Sequence, residues 1–217
     1  MNTIIMQKKP LLLPMHIKYS ELELHQAEKL SHQFMFGDSL LVALVFSARE
    51  VEIEIHFPEK YFEFWSGLEI PPETINFAIV MSDVPIFLRS GHIVALYMAH
   101  ESLSAAESRL ESLQIIVGLK CTERFVCFAN GHLSLQENFG FDFVASENYL
   151  NITILSSNYN EDRKTICSSP ITNSTFLLAK IYGLGVFKDH YLDNYLPLNL
   201  DLCKKIWNVE KTFSFQI

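Results

Sequence analysis

Hydrolytic chemistry commonly needs two carboxyl groups on a common face, one to give a proton and one to attack or take one. Glu52 and Glu54 have that spacing if the chain around them is extended. Val51, Ile53, Ile55 and Phe57 alternate with them, however, so the apolar side chains claim the buried face and the acidic pair is expected in water. Asp38 follows Gly37 and could be read as an acid, but a turn carboxylate capping backbone N–H groups is the expected role. His16, His25 and His32 share one connector without a further ligand at metal spacing, and surface histidines are expected rather than a zinc site. Asp189-His190 has no nucleophile elbow to serve, so no triad is argued. The residues themselves assign no catalytic group, no metal site and no cofactor.

The four cysteines, Cys121, Cys127, Cys167 and Cys203, lack the C-x-x-C spacing of zinc or redox sites, and buried free thiols are expected. Asn151-Ile152-Thr153 and Asn173-Ser174-Thr175 have the form of N-glycosylation acceptors, which gain meaning only in a lumenal context. Met1 to Met6 is followed by Lys8, Lys9 and Pro10, which is not the order of a secretory signal.

The elements that must position these residues read as short strands. The chain has 217 residues, 49% of them hydrophobic, enough for a real core in one domain or two small ones. Its formal charge is -8 and its Lys and Arg residues are scattered, which argues against nucleic acid or an anionic membrane as partner. No apolar run approaches the ~20 residues of a membrane-spanning helix. Leu40 to Phe46 is a continuous apolar run of strand length and is expected to be buried on both faces. Val51 to Phe57 is the clearest alternating strand, Pro58 ends it, and Tyr61 to Trp65 follows before a turn at Ser66-Gly67. Further strands are expected at Phe77–Met81, Pro85–Arg89, His92–Tyr97, Gln114–Leu119, Arg124–Phe128, Phe141–Val144, Leu150–Ser156, Thr175–Leu184 and Thr212–Ile217. Ser20 to His32 suits a short helix or turn, and the small, polar stretch Ala99 to Glu111 marks an expected domain boundary. Strands at this spacing predict a mainly β protein built as sandwiches.

Three blocks in series carry a family resemblance. Gln33-Phe34-Met35-Phe36-Gly37-Asp38-Ser39-Leu40-Leu41-Val42-Ala43 is similar to the Q-F-M-x-G-D-S-L-L-V-A segment of family 31 glycoside hydrolases. Val51 to Pro58 with Tyr61-Phe62-Glu63-Phe64-Trp65-Ser66-Gly67 resembles that family's next strand pair, and Asp83 to Ile93 resembles its I-P-V-F-V-R-G-G-x-I-I-P. Ser90 stands where the pattern has its first glycine, which would reshape the loop if that position needs positive φ.

The resemblance implies the C-terminal part of an α-glucosidase-type enzyme. It implies a remnant of the last barrel strand and helix at 1–32, then two antiparallel β-sandwiches, proximal at 33–100 and distal at 101–217. Lys9-Pro10-Leu11-Leu12 would belong to that barrel strand. The family's two catalytic aspartates lie on a (β/α)₈ barrel, a unit of about 250 residues, and no W-x-D-M-N-E motif occurs here. The chain alone is therefore expected to be inactive. Its implied partner is the catalytic barrel of a longer chain, or a protein covering the surface that faced the barrel. The family is often lumenal or lysosomal, so localisation stays open. Tyr61, Phe62, Phe64 and Trp65 are expected to pack a sandwich core, with Trp65 and Tyr61 as candidates for stacking on carbohydrate, the alternative function being a non-catalytic binding module.

Overall fold

The structure, a computed structural model, describes residues 10–20, 30–47, 51–79, 84–97, 112–123, 126–136, 139–146, 149–156, 175–183, 195–201 and 211–212. His25, most of the expected Ser20–His32 helix, the Ala99–Glu111 break, Asn173 and Asp189-His190 lie outside these residues. The chain divides into two compact units, Ile4–Ser90 and one containing Gly91–Ile217. Both are mainly β, as expected from the alternating segments.

The first unit contains β1 (Leu12–Pro14), α1 (Met15–Lys18), β2 (Gln33–Phe36), β3 (Leu40–Ala43), β4 (Glu52–His56), β5 (Tyr61–Glu63), β6 (Glu69–Ile70), β7 (Thr74–Ala78) and β8 (Ile86–Arg89). Six strands form one sheet in the order β1-β2-β3-β8-β5-β6, and β4 pairs with β7 as a second layer. All these pairings are antiparallel. Leu12, the last residue of the Lys9–Leu12 match to a barrel strand, opens β1, which is the edge strand of the six-stranded sheet, paired with β2.

Period-2 geometry builds the core between the layers. Ile53, Ile55, Ile75 and Phe77 of the two-stranded layer meet Met35, Leu41, Ala43, Tyr61 and Phe87 of the larger sheet. Phe87 lies edge-on to both Phe57 and Phe77, with ring centroids 4.8 and 5.2 Å apart, the arrangement that aromatic quadrupoles favour. Gln33, buried among these groups, spends its amide on one residue of the facing layer. Its Nε2 donates to the His56 carbonyl at 2.9 Å and its Oε1 accepts from the His56 N–H at 3.0 Å. A buried amide so paired ties the two layers together without an unmet polar group.

The run Leu40 to Phe46 departs from its expected burial on both faces. β3 is only four residues long; Leu41 and Ala43 are buried, Leu40 and Val42 are half-buried, and Phe46 is 74% exposed. Only one face of β3 meets the β4–β7 layer, so the apolar side chains of the other face stay partly in water. Tyr61 to Trp65 is likewise shorter as a strand than expected, because Phe64 and Trp65 already belong to the turn.

The second unit is a nine-stranded sheet among the described residues. It comprises β9 (His92–Tyr97), β10 (Ser112–Gly118), β11 (Lys120–Cys121), β12 (Cys127–Gln136), β13 (Phe139–Ser146), β14 (Tyr149–Ser156), β15 (Thr175–Tyr182), β16 (Tyr195–Asp201) and β17 (Lys211–Thr212). The order is β16-β15-β10-β9-β12-β13-β14-β17, with β11 on β12. The sheet is not wholly antiparallel: β10 runs parallel to β15, and β12 meets β9 in parallel at Asn130 and His92. Gly131 lies at that meeting, where a Cβ would come within 2.6 Å of Ile93, so only glycine fits. The turn between β8 and β9 takes its left-handed conformation at Gly91, φ +83°. Ser90, in the place of the family's glycine, is instead buried, with its N–H bonded to the Lys60 carbonyl at 3.1 Å.

A disulfide joins Cys121 to Cys127, which corrects the expectation of free thiols for this pair. Spacing alone hid it. The two cysteines are Cα partners across β11 and β12, 3.9 Å apart, so the ladder register brings the sulfurs together.

Candidate functional site

The residues singled out as possible acids and bases do not converge. Glu52 and Glu54 are exposed on β4, on the wet face their alternation indicated. His32 Nε2 contacts the Glu54 carbonyl at 2.7 Å, and His56 Nδ1 lies 2.8 Å from Thr74 Oγ1. Burial of the His56 ring lowers its pKa below the usual 6.5, because a cation there would lose water. Among the described residues no group of three His, Cys, Asp or Glu side chains could hold a metal ion.

The principal polar cluster of the first unit is one that residue spacing did not reveal. Arg89, at the end of β8, donates from Nε to Glu59 Oε1 at 2.5 Å, and Tyr19, just after α1, donates to the same oxygen at 2.8 Å. The Tyr19 and Tyr61 hydroxyls are 2.6 Å apart. Since Tyr19 gives its proton to Glu59, Tyr61 is left to donate to Tyr19 or to Met35 Sδ, 3.5 Å away. Beside this network, Lys18 Nζ meets Asp38 Oδ1 at 2.6 Å. Asp38 thus holds the entering segment by a salt bridge, a role beyond the turn cap expected of it.

The electrostatics follow from partial burial. Desolvation raises both tyrosine pKa values, with Glu59 adding to the rise, so the hydroxyls remain neutral donors. For Arg89 desolvation, the largest single influence, pulls the pKa down, but its hydrogen bond to Glu59 together with the charge interactions with Tyr19, Glu59 and Tyr61 outweighs it and the guanidinium is held charged. Cations and carboxylates are paired here, which is the chemistry of a joint. The joint fastens Lys18 and Tyr19 to strands of the six-stranded sheet, and the Gly37 N–H bond to the Leu11 carbonyl, 2.7 Å, fastens the start of the same segment.

Trp65 and Tyr61, the two candidates for carbohydrate, are in different environments. Tyr61 is 0% exposed and its ring packs at 5.6 Å from Phe57, so it has no face to offer a ligand. Trp65 is 60% exposed on a turn that Glu63 organises. The Glu63 carboxylate accepts from the Trp65 N–H at 3.2 Å and from the Ser66 N–H at 2.6 Å, while the Gly67 N–H bonds the Glu63 carbonyl. Phe64 supports the indole edge-on at 5.0 Å.

A second feature is the outer face of the six-stranded sheet. Cross-strand partners share a face, so Leu12, Phe36 and Leu40 lie together, as do Pro14, Phe34 and Val42. Leu13, Met35 and Leu41 take the opposite, core-facing side. The outer row is apolar throughout, yet Leu12 is 55% and Phe36 42% exposed.

Fold and cluster together define a mainly β module whose polar groups fix strands to one another. Residues 8–94 match the family described as glycosyl hydrolase family 31 C-terminal domain, and this part of the chain is such a domain. Among curated proteins the chain is similar to an isomaltosyltransferase of Sporosarcina globispora, 33% identical over 69 residues, covering 31% of this chain and 6% of that protein. It is also similar to the probable alpha/beta-glucosidase agdC of Aspergillus clavatus, 26% identical over 117 residues, covering 50% of this chain and 12% of that protein. A crystal structure of the glucosidase II alpha subunit shares the fold at 16% identity and a TM-score of 0.65, covering 83% of this chain and 20% of that one. The chain thus spans a small fraction of the length of the relatives it matches, and its domain sits within much larger family 31 chains.

Proposed function

We propose that this chain is the C-terminal β portion of an α-glucosidase-type hydrolase acting on O-glycosyl bonds, and that its part is to seat against the catalytic barrel. The outer face of β1, β2 and β3 carries this reading. A contiguous apolar row on a sheet face is costly to leave in water, and such surfaces mark contact sites. The relatives supply the occupant, since 80% or more of each lies beyond the region matched. The Tyr19–Glu59–Arg89 joint and the Lys18–Asp38 bridge hold β1 and α1 against the sheet, so the row is presented on a fixed backbone. Catalysis would belong to the barrel.

The test compares two preparations with a chromogenic α-glucoside. Protein captured from its natural source with an antibody to these 217 residues should be a longer polypeptide that hydrolyses the substrate. The 217-residue chain alone should not. In the longer polypeptide Phe36→Asp should lower the yield of active enzyme, since a charge on the seat forfeits the burial, worth about 1 kcal/mol, of the remaining Phe36 surface. Turnover by the isolated chain that vanishes on replacing one of its own carboxylates would overturn the reading.

A further inference from the structure

We infer that Asn151 carries an N-linked glycan on the solvent face of the second unit, and that this unit matures in an oxidising compartment. The inference is independent of the proposed glycosidase role. It begins with register. In the β13–β14 ladder Asn151 is the Cα partner of Val144, Ile152 of Phe143 and Thr153 of Asp142. Partners in a ladder share a face and neighbours alternate, so the two acceptor positions fall on one face and Ile152 on the other.

The neighbouring strands identify which face is wet. Val144 is 41% exposed, and its partner Asn130 and the partner of Asp142, His132, both on β12, are exposed as well. His132 Nδ1 bonds Asp142 Oδ1 at 2.6 Å on that face. The opposite face holds the buried Ala129, Phe143 and Ala145. The positions of Asn151 and Thr153 are therefore in register with Val144 and Asp142, on the side away from Ala129, Phe143 and Ala145, which is the placement a bulky glycan requires.

The second observation is chemical. The Cys121–Cys127 disulfide lies in the same unit, and such bonds persist where thiols are not kept reduced, the setting in which asparagine-linked transfer also occurs. The donor is an oligosaccharide on a polyprenyl diphosphate. The Asn151 carboxamide nitrogen attacks C1 of its first sugar, forming a C–N bond as the C1–O bond to phosphate breaks. The lipid diphosphate leaves with that electron pair, and the amide proton passes to a base of the transferase.

The test uses protein from its natural source, digested without reduction and treated with peptide N-glycosidase in ¹⁸O water. The peptide spanning Asn151 should return with ¹⁸O-labelled aspartate at that position, and the Cys121 and Cys127 peptides should stay linked until reduced. Secreted from a eukaryotic host behind a leader peptide, the chain should lose one glycan on Asn151→Gln. The isosteric Thr153→Val, which suits a strand, should do the same, while Thr153→Ser should keep it. An unlabelled Asn151 peptide overturns the glycan, even if Asn173 is occupied, and free thiols at Cys121 and Cys127 overturn the compartment.

Discussion

Replacing Glu59 by alanine should destabilise the first unit more than any other single change in its polar joint. Glu59 Oε1 takes both the Arg89 Nε–H and the Tyr19 hydroxyl, and the Glu59 and Arg89 side chains are only 20% and 21% exposed. Removing one partner of a fully buried pair costs roughly 3–5 kcal/mol because the other charge is left stranded, whereas an exposed pair is worth about 0–1. With a fifth of each side chain still in water, a loss of about 2–3 kcal/mol is expected. Tyr19 adds less, since it keeps its contact with Tyr61. The measurement is urea unfolding of the 217-residue chain carrying Trp207→Phe, so that Trp65 fluorescence reports the first unit. At about 1 kcal/mol per molar urea, a slope suited to a small unit, the midpoint should fall by about 2 M or more. Glu59→Ala with Arg89→Met should recover much of the loss, because no stranded charge remains. A single variant within about 0.5 kcal/mol of the parent, or a double variant no better than the single one, would refute the reasoning.

Two further outcomes follow from the same geometry. A sugar-stacking role for Trp65 predicts that the chain is retained on immobilised α-glucan and that Trp65→Ala abolishes this while changing the unfolding free energy by less than about 1 kcal/mol, since the indole is mostly exposed; no retention, or retention unchanged in the variant, would remove carbohydrate from its role. His56 has its pKa lowered by burial, so the unfolded chain binds the proton more readily and the stability it contributes is present above pH 6.5 and lost as pH falls below it. Unfolding free energy measured from about pH 7.5 down to about pH 5 should decline, with a shallower slope in His56→Gln, and an identical slope in that variant would sink the assignment.

Much of the fold was legible because strand alternation is a local signal. His92 to Tyr97 is a strand from end to end, and Val51 to Phe57 puts its acidic residues in water as its period requires. What escaped depends on pairing. The run Leu40 to Phe46 looks two-sided because apolar residues destined for a second surface are indistinguishable in sequence from core ones. Cys121 and Cys127 meet through a ladder register that no spacing rule encodes. β16 carries Pro197 and was not foreseen as a strand; it lies at the edge of the sheet, where proline is tolerated. The joint draws on Tyr19, Glu59, Tyr61 and Arg89, from three separate stretches, and only the blocks holding Tyr61 and Arg89 had drawn attention. Gln33 opened a recognised motif, yet nothing in the sequence tied its amide to His56.

The parallel pairing of β10 with β15 has a consequence for how the second unit is made. On the edge of β10 away from β9, Ser112 is partnered by Thr175 and Gly118 by Tyr182. A ribosome adding 5–20 residues per second needs roughly 3–12 s to deliver the intervening sixty or so residues. Throughout that interval one edge of β10, bearing Ile115, Ile116 and Val117, lacks the strand that will cover it. Non-local pairing of this kind slows folding and leaves a sticky edge open to other chains, so the half-made unit is where a chaperone, or aggregation, would first engage the nascent polypeptide.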